Sequence, residues 1–185
     1  LIFHTEAHGL YEGVNLVYAS EFYGIEEHQL RFPDPHLLVS NSYPPAHLNA
    51  LYNAADVFLL PSAGEGFGIP VLDAQAAGCP VIVSDFTAQT ELCGSGWLVD
   101  IDRVDDLIMT RSGSEQALFA RTSKILEKLE LAYQQKGNEE LRKQARAWAE
   151  NYGFEKVMNE YFLPVLRKRG LADDVAAPLP EAVLP

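Results

Sequence analysis

Val57-Phe58-Leu59-Leu60-Pro61-Ser62-Ala63-Gly64-Glu65-Gly66-Phe67-Gly68-Ile69-Pro70-Val71-Leu72-Asp73-Ala74-Gln75-Ala76-Ala77-Gly78-Cys79-Pro80-Val81-Ile82-Val83-Ser84 is the stretch that decides the fold. Val57–Leu60 and Val81–Ser84 are short runs apolar at successive positions, as in strands buried on both faces. Between them, Ile69–Ala77 reads as a helix, closed by Gly78 at the C′ position and Pro80 just beyond. Gly64, Gly66 and Gly68 allow positive φ and let a ligand approach the backbone closely. The N–H groups of Gly66 to Ile69 are expected to point out of the helix start, and Pro70 has no N–H to leave idle in the first turn. Such a terminus attracts phosphate or another anion.

The same alternation extends outward. Leu1–Thr5 and Gln29–Phe32 read as strands, Val14–Tyr23 and Ala46–Ala55 as helices, and Trp97–Val99 as a further short strand. Strands apolar on both faces and separated by helices imply a parallel sheet with right-handed crossovers. The fold class is therefore α/β, a Rossmann-like doubly wound parallel sheet, with ligands expected at the carboxyl ends of its strands. Asp100–Ser114 has no clear period and is expected to be an irregular insertion. From about Glu115 the chain reads as helical, with helices at Glu139–Asn151 and Phe154–Lys168 forming a C-terminal extension. One domain over residues 1–168 is expected, followed by an extended or disordered tail over 169–185.

Length and composition bound the function. A chain of 185 residues, 48% apolar and 22% charged, is a globular domain with room for one sizeable core. No apolar run reaches the roughly 18 residues of a membrane span, so no transmembrane segment is expected. The net charge is −12, and residues 1–102 hold Arg31 as their only base against 13 acids. Phosphate repels such a surface, which argues against nucleic acid as a partner. Cys79 and Cys93 fit neither a zinc site nor a disulfide framework, and a reduced, cytoplasmic setting follows. The chain opens without Met on the strand-like Leu1-Ile2-Phe3, so part of a larger protein is expected upstream.

Two carboxylates flank the glycine turn. Each accepts two hydrogen bonds side by side, which suits a vicinal diol. Glu65 lies in the turn and Asp73 eight residues later, so one acid can hold a sugar and the other a ribose, with a diphosphate on the glycines between them.

Glu65-Gly66-Phe67-Gly68, then Asp73-Ala74-Gln75-Ala76-Ala77-Gly78-Cys79-Pro80-Val81-Ile82, is similar to the context E-x-F-G-x-x-x-x-E-A-x-A-x-G-x-P-V-I. On that motif the chain resembles the C-terminal, donor-binding half of a retaining GT-B glycosyltransferase of family 4 (glycosyl transferases group 1). Leu51–Val57, Pro61-Ser62, Ser84-Asp85, Glu91-Leu92, Gly96–Val99 and Tyr152-Gly153-Phe154 extend the likeness across roughly residues 1–168, with a poor match at 101–140. The resemblance implies sugar transfer from a nucleotide-sugar donor, with no cofactor and no metal, and with an acceptor-binding N-terminal domain as partner. By position it implies that Glu65 is the catalytic carboxylate bonded to the donor sugar. Gly66, Phe67, Gly68 and Ile69 would hold the diphosphate or sugar, Asp73 the ribose, and Ser62 and Tyr43 would complete the donor site. Where the family carries Glu, this chain has Asp73, with a reach shorter by roughly 1.5 Å. The family's cationic pair, an Arg and a Lys, lies upstream of the strand with which this chain begins, so the chain alone is expected to bind donor weakly and not to turn over.

Other features carry less. His4-Thr5-Glu6-Ala7-His8 lacks the HExxH spacing and reads as a polar loop. Ser62 reads as a turn or capping group, since no His lies near it in sequence. Tyr43 reads equally as a base-stacking ring or a packing group, and Thr87 as an N-cap. Two alternatives stand beside the main reading. One is an NAD-binding Rossmann oxidoreductase domain, weakened because Ile69 occupies the third glycine position of G-x-G-x-x-G. The other is a non-catalytic nucleotide-sugar-binding module.

Overall fold

The computed structural model describes residues 1–9, 13–102, 107–109, 116–118 and 120–171, and the expected tail from residue 172 onward lies outside them. The chain divides into two units, Leu1–Leu48 and Asn49 onward.

In the first unit, α1 (Leu16–Phe22) is capped by Asn15, whose side chain accepts the Tyr18 N–H. Asp34 caps α2 (Pro35–Val39) by accepting the His36 and Leu37 N–H groups, with Pro35 at the first position. That arrangement suits a Pro, which has no N–H and a preset φ. The strands expected at Leu1–Thr5 and Gln29–Phe32 shrink to one parallel bridge between Ile2 and Arg31. Gln29 is taken by a short 3-10 turn, Glu27–Gln29, where its side chain accepts the Glu26 N–H. Pro33 then removes a donor on the other side. Arg31 is tied up locally, with Nη1 donating to the His28 carbonyl at 3.0 Å and the Leu30 carbonyl at 2.7 Å.

α3 (Pro45–Ala54) leads to the sheet of the second unit. Its strands are β1 (Phe58–Leu60), β2 (Val81–Ser84) and β3 (Gly96–Val99), all parallel and in the order β1-β2-β3. Phe58 pairs with Val81, and Val81 with Gly96. All four residues of β2 are fully buried. Side chains alternate between faces as a strand requires. Val81 and Val83 pack with Val71 and Ala74 of α4 (Ile69–Ala76), and with Leu92 of α5 (Ala88–Leu92). Ile82 turns the other way, onto Val99 of β3 and Ala132 of a later helix. This is the Rossmann-like α/β arrangement expected from the sequence.

Past β3 the reading needs correction. The segment expected to be an irregular insertion contains β4 (Leu107–Met109), and the helix expected from Glu115 begins instead with β5 (Gln116–Leu118). The two strands pair antiparallel, Leu107 with Leu118. Cross-strand pairing overrides the helical period that Leu118 shares with Ile125. α6 (Thr122–Gln134) then covers the Ile82 face, and α7 (Glu139–Ala149) packs on α4. α8 (Phe154–Val157) and α9 (Leu163–Lys168) are joined by a π-helical segment, Met158–Phe162. Among the described residues, no helix is long and apolar enough to cross a membrane.

Candidate functional site

The turn between β1 and α4 sits at the carboxyl end of β1. Gly68 caps α4 in the left-handed region, φ 99° and ψ 49°, with no side-chain cap bond. The φ alone favours glycine there, and an added Cβ would also stand 3.3 Å from Leu92 Cδ1. Helix starts leave N–H groups without intrahelical partners. Here the N–H groups of Gly66, Phe67 and Gly68 have no hydrogen-bond partner among the described residues. A Cβ built on Gly66 meets nothing within 4 Å, so the space in front of the turn is open.

Glu65 is half-buried, and its carboxylate has no partner among the described residues. Its backbone is anchored: the Glu65 N–H donates to Thr87 Oγ1 at 3.0 Å. Phe67, 49% exposed, rests its ring edge-on to Tyr152 with centroids 6.3 Å apart. Ile69 is 62% exposed and opens the helix. Ser62 is half-buried in the turn; Gly68, not Ser62, is the helix cap.

Asp73 lies one turn into α4, because four of the eight residues after Glu65 are spent on the turn and the helix start. Four residues of rise place it about 6 Å along the axis from Ile69. The residue is exposed, but its carboxyl is partly withdrawn from water, and that desolvation raises its pKa. The Tyr52 hydroxyl is pushed up by burial first and by the Asp73 charge second, which sets Asp73 beside Tyr52. No Lys or Arg occurs in residues 49–102.

Sequence reasoning missed the neighbours. Thr87 was expected as an N-cap and holds that place before α5, but its side chain makes no cap bond and instead reaches Glu65. Tyr43 belongs to the first unit, where its ring stacks on His47 at 4.0 Å and its hydroxyl accepts the Asp34 N–H at 2.7 Å. His4 packs on the same pair, 5.9 Å from Tyr43 and 5.7 Å from His47. Burial, then the charge of His47, lowers the His4 pKa. Among the described residues, no three His, Cys, Asp or Glu gather as metal ligands.

Two cavities lie elsewhere. One of about 710 Å³ is lined by Val17, Ser20, Leu30 and Phe32 among others in the first unit. The second, about 250 Å³, lies between Ala55, Pro80 and Arg142, at the amino ends of the strands. Neither takes in a residue of the glycine turn.

The model of glycosyl transferases group 1 matches residues 24–128, a span that contains the glycine turn and both acids. The O-antigen chain mannosyltransferase B of Escherichia coli is 40% identical over 70 residues, which is 36% of this chain and 18% of that protein. The D-inositol 3-phosphate glycosyltransferase of Corynebacterium glutamicum is 42% identical over 65 residues, 35% of this chain and 14% of that protein. A protein of the same name from Corynebacterium urealyticum is 45% identical over 60 residues, 31% of this chain and 14% of that protein. The matched stretches thus cover less than a fifth of the length of these curated relatives.

Proposed function

The chain belongs to the glycosyl transferases group 1 family, and from that premise we propose that residues 61–73 hold the nucleotide-sugar donor of a retaining glycosyltransferase. The observation that carries this reading is the row of unpartnered N–H groups at Gly66, Phe67 and Gly68, with open space before Gly66 and an acid on either side.

The chemistry follows from that layout. A diphosphate placed on the turn receives backbone N–H donors, each worth about 1.5–3 kcal/mol when the acceptor is charged. Glu65 accepts from hydroxyls of the donor sugar, and Asp73 from the ribose. As the sugar–phosphate bond breaks, an oxocarbenium-like sugar and an anionic leaving group develop, and the fixed N–H groups stabilise the latter. The helix dipole adds only about 0.3–1 kcal/mol at an exposed terminus, so a further cation is needed for turnover. We assign that cation to the Arg and Lys that the family carries upstream of the strand matching Leu1–Thr5, and the acceptor site to an N-terminal domain. The isolated chain then binds donor weakly and does not turn over. The thiols of Cys79 and Cys93, both pushed up to about 11 by burial, are inert and fit a reducing cytoplasm.

The test is Glu65→Ala, measured by NMR titration with UDP-glucose, UDP-N-acetylglucosamine, ADP-glucose and GDP-mannose. Losing hydrogen bonds to a charged acceptor predicts a Kd about ten-fold or more weaker, with the melting temperature nearly unchanged. An unchanged Kd would remove Glu65 from the donor contacts, and collapse of the fold would make it structural. Submicromolar binding or transfer by this chain alone would contradict the need for a second half.

A further inference from the structure

The segment that follows β2 carries a strained residue. Thr87 has φ 54° and ψ −144°, and it shares positive φ with only one other non-glycine among the described residues, Asn41. Asn tolerates such a backbone because its short polar side chain bonds locally; a β-branched Thr does not. Strain of this kind persists only where surrounding contacts hold it, and it gathers at functional sites.

The contacts that hold Thr87 lead to the glycine turn. Thr87 Oγ1 donates to the carbonyl of Phe86 at 2.8 Å, which turns its lone pairs away from that carbonyl. The same oxygen accepts the Glu65 N–H at 3.0 Å, across 22 residues of sequence. The Thr87 methyl carbon stands 3.7 Å from where a Cβ on Gly64 would be, an ordinary packing distance. One side chain therefore holds the peptide of Glu65 and lines the space beside Gly64. The strained segment is braced from its other side, where Thr90 Oγ1 donates to Asp85 Oδ1 at 3.0 Å.

We infer that Thr87 is a positioning residue for the donor site, its hydroxyl fixing the Glu65 peptide so that the carboxylate and the following N–H groups meet the donor in one geometry. The inference rests on the donor-binding reading of the turn. Thr87 touches no donor atom itself. It removes freedom from the turn before binding, so its loss weakens affinity through disorder of Glu65 rather than through a missing contact.

Three variants separate positioning from a structural role: Thr87→Ser keeps the hydroxyl, Thr87→Val keeps the shape without it, and Thr87→Gly removes both hydroxyl and strain. The first readout is exchange of the Glu65 amide in the full 185-residue chain, which needs no ligand. Thr87→Val should speed it about ten-fold or more, and Thr87→Ser should leave it within about three-fold, as expected when a hydrogen bond is lost or kept. The second readout is Kd for whichever of UDP-glucose, UDP-N-acetylglucosamine, ADP-glucose or GDP-mannose binds wild type. Thr87→Val and Thr87→Gly should weaken it about ten-fold, Thr87→Ser should restore it, and Thr87→Gly should do this without lowering the melting temperature. Unchanged Glu65 exchange in Thr87→Val, or unchanged Kd despite faster exchange, would overturn the inference. So would a fall in melting temperature and affinity in step for Thr87→Gly. If wild type binds none of the four, the donor reading fails and takes the inference with it, whatever the exchange data show.

Discussion

The two ends of α4 are built in opposite ways. Near its C-terminal end the helix is tied in by side-chain hydrogen bonds. Gln75, fully buried, donates from Nε2 to the Val71 and Leu92 carbonyls, and its Oε1 accepts the Gly94 and Ser95 N–H groups. Arg146 donates to the Ala77 carbonyl, and Trp148 Nε1 to that of Leu92. Gly94 is needed because a Cβ there would run into the Trp148 ring. At the N-terminal end, no side chain caps the helix, and the N–H groups of Gly66, Phe67 and Gly68 have no partner among the described residues. Buried polar groups are normally satisfied. An end that supplies its own partners contributes stability, while an end that withholds them is available to a ligand.

That contrast can be broken from either side, and the C-terminal end should give the largest effect. Gln75→Leu keeps the volume but strands the Ser95 N–H and takes one of two partners from the Gly94 N–H and the Leu92 carbonyl, which should cost on the order of 3 kcal/mol. For a chain of this size that is a fall of roughly 6–12 °C in melting temperature by calorimetry. A fall under a degree or two would mean the network is dispensable. Gly68→Ala should be intermediate, about 1–2 kcal/mol, because an alanine must adopt positive φ against Leu92. Chemical denaturation reads it directly, and a neutral result would refute the left-handed cap.

Gly66→Ala sharpens the comparison. Its φ is ordinary and the space around it is empty, so stability should move by less than about 0.5 kcal/mol. Donor affinity should nevertheless fall, since the methyl occupies the ligand's place. Wild-type affinity in this variant would show that no ligand atom comes close.

Asp73→Asn should give the smallest effect. Partial burial raises the Asp73 pKa, so the folded state holds that proton more tightly than the unfolded state does. Ionised Asp73 therefore costs stability above its folded pKa, and the cost disappears as pH falls through the carboxylate range. Because the residue is exposed, the asparagine variant should gain only a few tenths of a kcal/mol at pH 7 and nothing at about pH 3. A gain that grew towards acid pH would reverse the sign and discard the desolvation argument.

Much of this was legible in the chain itself. β1 and β2 show because both their faces are covered, leaving unbroken apolar runs between Pro and Gly punctuation. The glycine turn shows because its spacing is specific. The β4–β5 pair did not, since three-residue strands such as Leu107–Met109 carry no period and exist only through their partner. α2 had a signal that went unused, Asp34 followed by Pro35 at the start of a helix. The bond from Glu65 to Thr87 could not be read, because it links residues 22 apart that only the folded sheet brings together.

The central claim is that the turn at residues 64–70 cradles a pyrophosphoryl group, and amide chemical shifts of the labelled chain test it most directly. On titration with the nucleotide sugar that binds, the largest changes should fall on the amides of Gly66, Phe67, Gly68 and Ile69, with smaller ones at Glu65 and Asp73. Shifts confined to the cavity lined by Val17, Leu30 and Phe32, with the glycine amides unmoved at saturation, would contradict it.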